Sequence, residues 1–195
     1  LGGMGEIVEY YQNKNKPILK EYKIDNKTAA LTEDRLQSVI DESVSKWDDN
    51  YARAYVTTIS PDQFLGLTIG KDSLAKMEQQ VESLDVDKLR NERQNIFLDV
   101  NMETGKVTGH EGRHRMIALQ KAGVENVEIV VYPDSGTYDR NNAPRLQSMN
   151  LIGQDFSVGK GTDTTIGEMI PVSKANQEEL RNKDIPWTNL IFNNY

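Results

Sequence analysis

Hydrophobic residues recur along the chain with two periods, and each period predicts one type of element. Between Leu36 and Val44, apolar residues return every three or four positions, which predicts an amphipathic helix. Thr32 stands where an N-cap is needed, and the helix is expected to continue through Asp48. Trp47, near the end of this helix, is expected to pack against the core.

The central part of the chain changes to short runs of β-branched and aromatic residues between turn signals, which predict strands. The predicted strands are Tyr55–Ile59, Asn95–Val100, Lys106–Thr108 and Val127–Tyr132, the last ended by Pro133. Helical spacing predicts two more helices, one from Asp72 or Ser73 to about Leu84 and one from the residues after Gly112 to Gly123. Ser60-Pro61-Asp62 is a turn or helix start.

The second and third predicted strands are expected to pair as a hairpin. Met102–Gly105 separates them, which is a suitable length for the turn, and Gly105 tolerates a positive φ. The sequence from Tyr55 to Pro133 thus combines strands, a hairpin and helices, a succession typical of α+β proteins.

The ends of the chain carry weaker patterns. There we expect a short helix at Glu6–Gln12, a helical turn at Arg145–Met149, a helix over 173–182 capped at Ser173, and an apolar tail at Pro186–Phe192. We therefore predict an α+β protein in three parts: a helical extension (1–50), a core (51–133), and a loop-rich extension (134–195) that packs on the core.

Composition excludes several classes of function. A chain of 195 residues and 22.1 kDa suits one well-cored domain. Its net charge of -7 repels polyanions, so nucleic acid is a disfavoured partner. Because the chain has no cysteine, disulfides, thiolate metal sites and cysteine nucleophiles are excluded.

Cellular location is also restricted by the sequence. No segment approaches the roughly 20 apolar residues that span a bilayer. The N-terminus lacks the basic and apolar regions of a secretory signal, and Leu1-Gly2-Gly3 before Met4 resembles the cut edge of a longer polypeptide. We expect a soluble, cytoplasmic protein with no membrane partner.

The segment from Gly109 to Arg115 holds both histidines of the chain and supports two hypotheses. In the first, His110 and His114 have the HExxH spacing of zinc hydrolases, with Glu111 activating a metal-bound water. This hypothesis requires both histidines on one helix face. It also requires a carboxylate as third ligand, since there is no third histidine.

In the second hypothesis the same segment is an anion site at a helix start. A helix N-terminus presents unpaired N–H groups and a partial positive charge, which favour phosphate. Gly112 permits close approach of the backbone, Arg113 and Arg115 match phosphate geometry, and His114 is suited to orienting or protonating a phosphate. Glu111 is suited to holding magnesium against the phosphates.

These residues, with their surroundings, resemble the ParB/sulfiredoxin-like fold and in particular ParB-like nuclease and nucleotide-binding domains. The resemblance is carried, over about residues 52–133, by Tyr55–Asp62, Asn95–Val100, Lys106–Gly109 and the run EGRHRMIALQKAG from Glu111 to Gly123. It implies a ParB-like core, a small mixed sheet with packed helices. Sulfiredoxin chemistry is excluded because it needs a cysteine in this segment.

The resemblance also implies a function. Gly112, Arg113, His114 and Arg115 would form the box that binds the phosphates of CTP, ATP or ADP, and Glu111 would replace the usual aspartate and hold magnesium. If the protein is catalytic, Glu111 and His114 would act in phosphoryl transfer or in nucleotide or phosphodiester hydrolysis. The resemblance further implies that the chain is a segment of a multidomain protein of a mobile genetic element, such as a phage or a conjugative element.

Other candidates and alternatives stay open. Nothing after Pro133 indicates the helix-turn-helix of partition proteins. Asp99 and Glu103, on the hairpin, are further general-base or magnesium candidates, and Val158–Thr162 only superficially resembles a P-loop. The rival functions are a zinc hydrolase and a non-catalytic interaction module. Replacing Arg113 by alanine is expected to abolish ligand binding with an intact fold only if the anion hypothesis is correct.

Overall fold

The computed structural model describes residues 22–49, 51–68, 74–82, 96–134, 145–147, 150–151, 154–155, 163–166 and 168–181. These residues form a mixed α+β structure, as predicted. The predictions for Glu6–Gln12, Val158–Thr162 and Pro186–Phe192 lie outside the described residues.

Strands and helices alternate along the described chain. The strands are β1 (Tyr22–Asp25), β2 (Thr28–Leu31), β3 (Tyr55–Ile59), β4 (Phe97–Asn101), β5 (Lys106–Glu111), β6 (Asn126–Asp134), β7 (Arg145–Gln147), β8 (Asn150–Leu151), β9 (Gln154–Asp155), β10 (Asp163–Thr165) and β11 (Ile170–Pro171). The helices are α1 (Glu33–Ser43), α2 (Pro61–Leu67), α3 (Leu74–Glu82), α4 (Arg113–Lys121) and α5 (Gln177–Arg181), the last preceded by a 3-10 turn, Lys174–Asn176.

Strand β6 is the centre of the sheet. It pairs antiparallel with β3 along one side and parallel with β2 and then β4 along the other. The order β1-β2-β6-β4-β5-β7-β10 continues outward, and β3 carries β11. Val127, Ile129, Val130 and Val131 are fully buried, and Glu128 between them is also buried, so this strand is covered on both faces. The segment 22–49, predicted as a helical extension, thus contributes a hairpin to the sheet and α1 to the core.

The hairpin β4–β5 forms as predicted and is longer than expected. Its turn contains Gly105 with φ 69, and Asn101 Oδ1 accepts from the Glu103 N–H at 3.0 Å. β5 runs on through His110 to Glu111, and the pairing shifts register between Asp99 and Val100. This β-bulge changes the alternation of side chains just before the segment from Gly109 to Arg115, which we call the motif.

Helix α1 begins as predicted and ends earlier. Thr32 caps it, accepting from the Arg35 N–H, but the helix stops at Ser43. Ser45 Oγ accepts from the N–H groups of Trp47 and Asp48 at 3.1 and 3.2 Å, which forms a turn in place of another helical turn. Trp47 is therefore 96% exposed, and the prediction that it packs against the core is wrong.

Two further predictions of secondary structure are corrected. Arg145–Gln147 is a strand, not a helical turn. It pairs with β10 on one side, and Arg145 pairs with Lys106 of β5. β6 does not end at Pro133 but continues to Asp134, since the exposed proline keeps an extended conformation opposite Val100.

Helices α2 and α3 lie against α4 and position the motif. A capping box starts α2, with Ser60 Oγ accepting from the Gln63 N–H at 3.1 Å and Gln63 Oε1 accepting from the Ser60 N–H at 2.9 Å. Among the side chains of α3 that the structure describes, Met77 is buried, Gln80 is half-buried and the others are exposed. Burying this one methionine contributes about 1.5–3 kcal/mol to the packing of α3. No helix in the described ranges is long and apolar enough to cross a membrane.

Candidate functional site

The motif is divided between a strand and a helix at Gly112. Glu111 ends β5, and Gly112 is the N-cap of α4 with φ 97, a left-handed conformation that favours glycine. A Cβ at this position would lie 2.8 Å from Cγ1 and 3.0 Å from Cα of Ile96. Gly112 supplies no side chain to accept from the first amides of α4. The helix start is thus built by a close backbone approach, and glycine is required there.

The two histidines lie on different elements. His110 is in β5, opposite Leu98 of β4, and His114 is in the first turn of α4. An HExxH site needs both imidazoles on one helix face, and this arrangement is not formed. In the described part of the chain, no group of three or more His, Asp or Glu side chains is arranged to hold a metal ion.

The guanidinium of Arg113 is held inside the protein. Arg113 is 8% exposed, and its Nη1 donates to the carbonyl oxygen of Leu65 at 3.2 Å and to Thr68 Oγ1, both at the end of α2. Its Nε donates to the sulfur of Met77 at 3.4 Å. Burial lowers the pKa of this guanidinium from its usual value. In this conformation Arg113 joins three helices and does not face an incoming phosphate.

The remaining residues of the motif occupy different environments. His114 is half-buried, and its Nε2 lies 2.8 Å from Gln80 Oε1 of α3. Arg115 is buried, with 3% of its surface exposed. Glu111 is exposed, and its Oε1 accepts from the N–H of Gly112 at 3.2 Å. A single exposed carboxylate suits magnesium only together with oxygens of a bound phosphate.

The partners of the motif were not predicted from the sequence. Leu65, Thr68, Met77 and Gln80 precede the residues they contact by between 34 and 48 positions. No local pattern marks a methionine sulfur or a glutamine amide as the partner of a residue so far along the chain. Only the packing of α2 and α3 on α4 brings them together.

A second polar cluster lies on the sheet, where β4, β5 and β6 meet. Thr108 donates to Asp134 and also contacts the carbonyl oxygen of Asp99 at 3.3 Å. Asp99 pairs with Gly109, where a Cβ would lie 2.6 Å from Asp99 Oδ2. Burial raises the pKa of Asp99, Asp134 raises it further, and His110 lowers it. The carboxyl of Asp99 therefore occupies the space where a side chain at position 109 would lie.

Aromatic rings border this cluster. Phe97 and Tyr132 pack edge to face with ring centroids 5.3 Å apart, and Tyr132 pairs with Asp99 across β4 and β6. Burial raises the pKa of Tyr132, and Glu42 and Asp99 raise it further. The ring of Tyr132 thus packs against Phe97 of β4.

We predict that replacing Asp99 by asparagine stabilises the protein at neutral pH. The folded protein binds the proton of Asp99 more tightly than the unfolded chain, because the pKa is raised on folding. The contribution of this group to the free energy of unfolding is largest below the pKa of the unfolded state. It is lost as the pH rises through the pKa of the folded state. The ionised carboxylate therefore destabilises the folded protein at pH 7. After allowance for solvent screening, Asp99→Asn should raise Tm by about 2 °C at pH 7 and less at pH 4.

The control for this prediction is Glu103→Gln, which removes the same charge from an exposed position at the hairpin tip. It should leave Tm within error at both values of pH, because exposed charges contribute little. Thermal unfolding followed by circular dichroism at pH 7 and pH 4 measures both variants. A lower Tm of Asp99→Asn at pH 7 would show that the carboxylate is needed for the fold.

Comparison with known proteins finds no match, whether family models, curated proteins or solved structures are searched.

Proposed function

We propose that this protein binds a nucleotide or another phosphorylated ligand at the start of α4, within a core of the ParB/sulfiredoxin-like type. One observation carries the proposal: α4 starts at a left-handed glycine without a side-chain cap, and Arg113, His114 and Arg115 follow in its first turn. Uncapped amides and a partial positive charge at a helix start favour an anion. A ligand such as CTP, ATP or ADP supplies that anion.

We expect different roles for the residues of the motif, because their burial differs. Gly112, Arg113 and Arg115 are buried and His114 is half-buried, so the imidazole of His114 is the group of the first turn that is most open to a phosphate. Arg113 and Arg115 are buried and act at first through their charge, which is weakly screened inside the protein. Glu111 is the residue to hold magnesium beside bound phosphates, where the metal would neutralise phosphate charge.

A reaction at this site would be phosphoryl transfer or the hydrolysis of a nucleotide or phosphodiester. His114 would orient a phosphate oxygen or donate a proton to it, and Glu111 would serve as the acidic partner. The zinc hydrolase is less well supported, since His110 and His114 lie on different elements. An interaction module without catalysis requires no ligand at α4.

A thermal-shift panel tests the proposal and separates the alternatives. CTP, ATP, ADP and GTP are added with and without magnesium, beside zinc and a chelator. A nucleotide at about 100 times its dissociation constant should stabilise the fold by about 2.7 kcal/mol, which is several degrees. Stabilisation by a nucleotide is the expected result.

The two histidines provide a matched pair of variants for this panel. His114→Asn should abolish the nucleotide-dependent shift, whereas His110→Asn should retain it, because His110 is on β5 and outside the helix start. Loss of a zinc-dependent shift in both variants would favour the HExxH alternative. No shift with any ligand would favour the interaction module and contradict the proposal.

A further inference from the structure

Two exposed aromatic side chains lie in one loop between α1 and β3, which we call the aromatic loop (residues 44–49, 51 and 52). Trp47 is 96% exposed and Tyr51 is 51% exposed, and they are the large apolar side chains that are exposed in the described part of the chain. Burial raises the pKa of Tyr55, and Tyr51 raises it further, so these two side chains are neighbours. Because tryptophan is highly buried on average, this concentration of exposed rings indicates a contact surface.

The backbone of the aromatic loop is held by hydrogen bonds that leave its rings outside. The two ends of the loop form an antiparallel bridge. Ser45 Oγ accepts from the N–H groups of Trp47 and Asp48, and the carbonyl oxygen of Asp48 accepts from the N–H of Tyr51 at 3.2 Å. The exposure of Trp47 thus follows from a formed turn.

The aromatic loop is also fastened to the segment that precedes α5. The carbonyl oxygen of Asp49 accepts from the N–H of Ala175 at 3.0 Å, and the carboxylate of Asp49 forms an ion pair with Lys174 at 3.5 Å. Binding orders less of the chain when a side chain is presented on a backbone that is already fixed. The two exposed rings are therefore preorganised for a contact with another molecule.

The charges around Trp47 are balanced and complementary to themselves. Lys46 and Asp48, both exposed, precede and follow Trp47, and Asp49 and Arg53 add one charge of each sign. A strongly cationic or anionic partner therefore finds no excess of opposite charge in the aromatic loop. A second copy related by a two-fold axis instead places Lys46 of each copy opposite Asp48 of the other.

We propose that two copies of this chain associate through the aromatic loop, with Trp47 and Tyr51 of each copy at the centre of a two-fold interface. Four aromatic side chains, at about 150–250 Å² each, bury less than about 1,000 Å². Stable interfaces bury at least about 1,200 Å², so this dimer is weak, with a dissociation constant on the order of 100 µM. The association does not depend on the phosphate site at α4.

Sedimentation velocity tests the association on the full chain without a ligand. The sedimentation coefficient of the parent chain should rise from the monomer value at about 10 µM toward the dimer value at about 1 mM. Trp47→Ala should weaken the association at least about tenfold, because the ring is the central contact. Its Tm at low concentration should equal that of the parent, since the side chain is 96% exposed.

A charge exchange tests the two-fold geometry. Lys46→Glu and Asp48→Lys should each weaken self-association several-fold, because like charges then meet across the axis. An equimolar mixture of the two variants should associate at least as strongly as the parent, since both contacts of the mixed dimer are attractive. Lys23→Glu, which makes the same change of charge on an exposed position of β1, should associate as the parent does.

Four outcomes would overturn the inference. The first is a parent chain that stays monomeric at every concentration. The second is equal association of the parent and Trp47→Ala, which would place the interface elsewhere. The third is a mixture of Lys46→Glu and Asp48→Lys that associates no better than either variant alone. The fourth is binding of the monomer to phosphatidylcholine vesicles that Trp47→Ala abolishes, which would assign the aromatic loop to a lipid surface.

Discussion

Replacing Gly112 by alanine is expected to destabilise the protein by about 2–4 kcal/mol. Two costs combine at this position. A φ of 97 is strained for any residue with a Cβ, and that Cβ would lie 2.8 Å from Cγ1 of Ile96 and 3.0 Å from its Cα. Because one of these atoms is backbone and Ile96 is fully buried, the neighbour cannot move away cheaply. Urea unfolding measures the loss.

Gly66→Ala is the matched control for this prediction. Gly66 lies inside α2, and a Cβ there would meet nothing within 4 Å. Alanine is favoured over glycine inside a helix, so this variant should be more stable by about 0.5–1 kcal/mol. The two glycine substitutions should therefore change the free energy of unfolding in opposite directions. A Gly112→Ala variant as stable as the parent would contradict the left-handed start of α4 and with it the uncapped anion site.

Local features of the fold were predictable because they depend on neighbouring residues. The cap at Thr32, the hairpin turn at Gly105 and the helix end at Gly123 each follow from the conformations that those residues favour. Trp47 shows the limit of this reasoning. Its spacing continued the helical stripe, but hydrogen bonds to Ser45 Oγ turned the chain away.

The pairing of the sheet was not predictable in the same way. The parallel pairing of β6 with both β2 and β4 joins residues separated by about a hundred and by about thirty positions, and no turn chemistry specifies such contacts. Arg145–Gln147 is a strand because it lies beside β10 and β5, not because of its own residues.

The candidate site shows the same division. The motif and its helix start could be located from the sequence, since the glycine, the two arginines and His114 are consecutive. The direction in which Arg113 points could not, because Leu65, Thr68 and Met77 receive its hydrogen bonds after α2 and α3 have packed on α4. A charged side chain in a candidate binding motif can thus stabilise the fold through its own contacts.

Replacing Arg113 by alanine is expected to destabilise the fold by about 2–4 kcal/mol. The variant would leave a cavity where the buried stem lay, and it would remove the donor from the Leu65 carbonyl and Thr68 Oγ1. The sequence alone suggested that this substitution would abolish ligand binding with an intact fold. Loss of binding in Arg113→Ala therefore has to be measured against its loss of stability, by urea unfolding at saturating and zero nucleotide.

Arg181→Ala is the control that separates burial from the loss of a positive charge. Arg181 forms an ion pair with Glu33 at 3.2 Å, but its side chain is 34% exposed and that of Glu33 is 70% exposed, so its removal should cost less than about 1 kcal/mol. An Arg113→Ala variant with the stability of the parent and no nucleotide binding would mean that the guanidinium already serves the ligand. Arg113 would then be a binding residue in the resting protein.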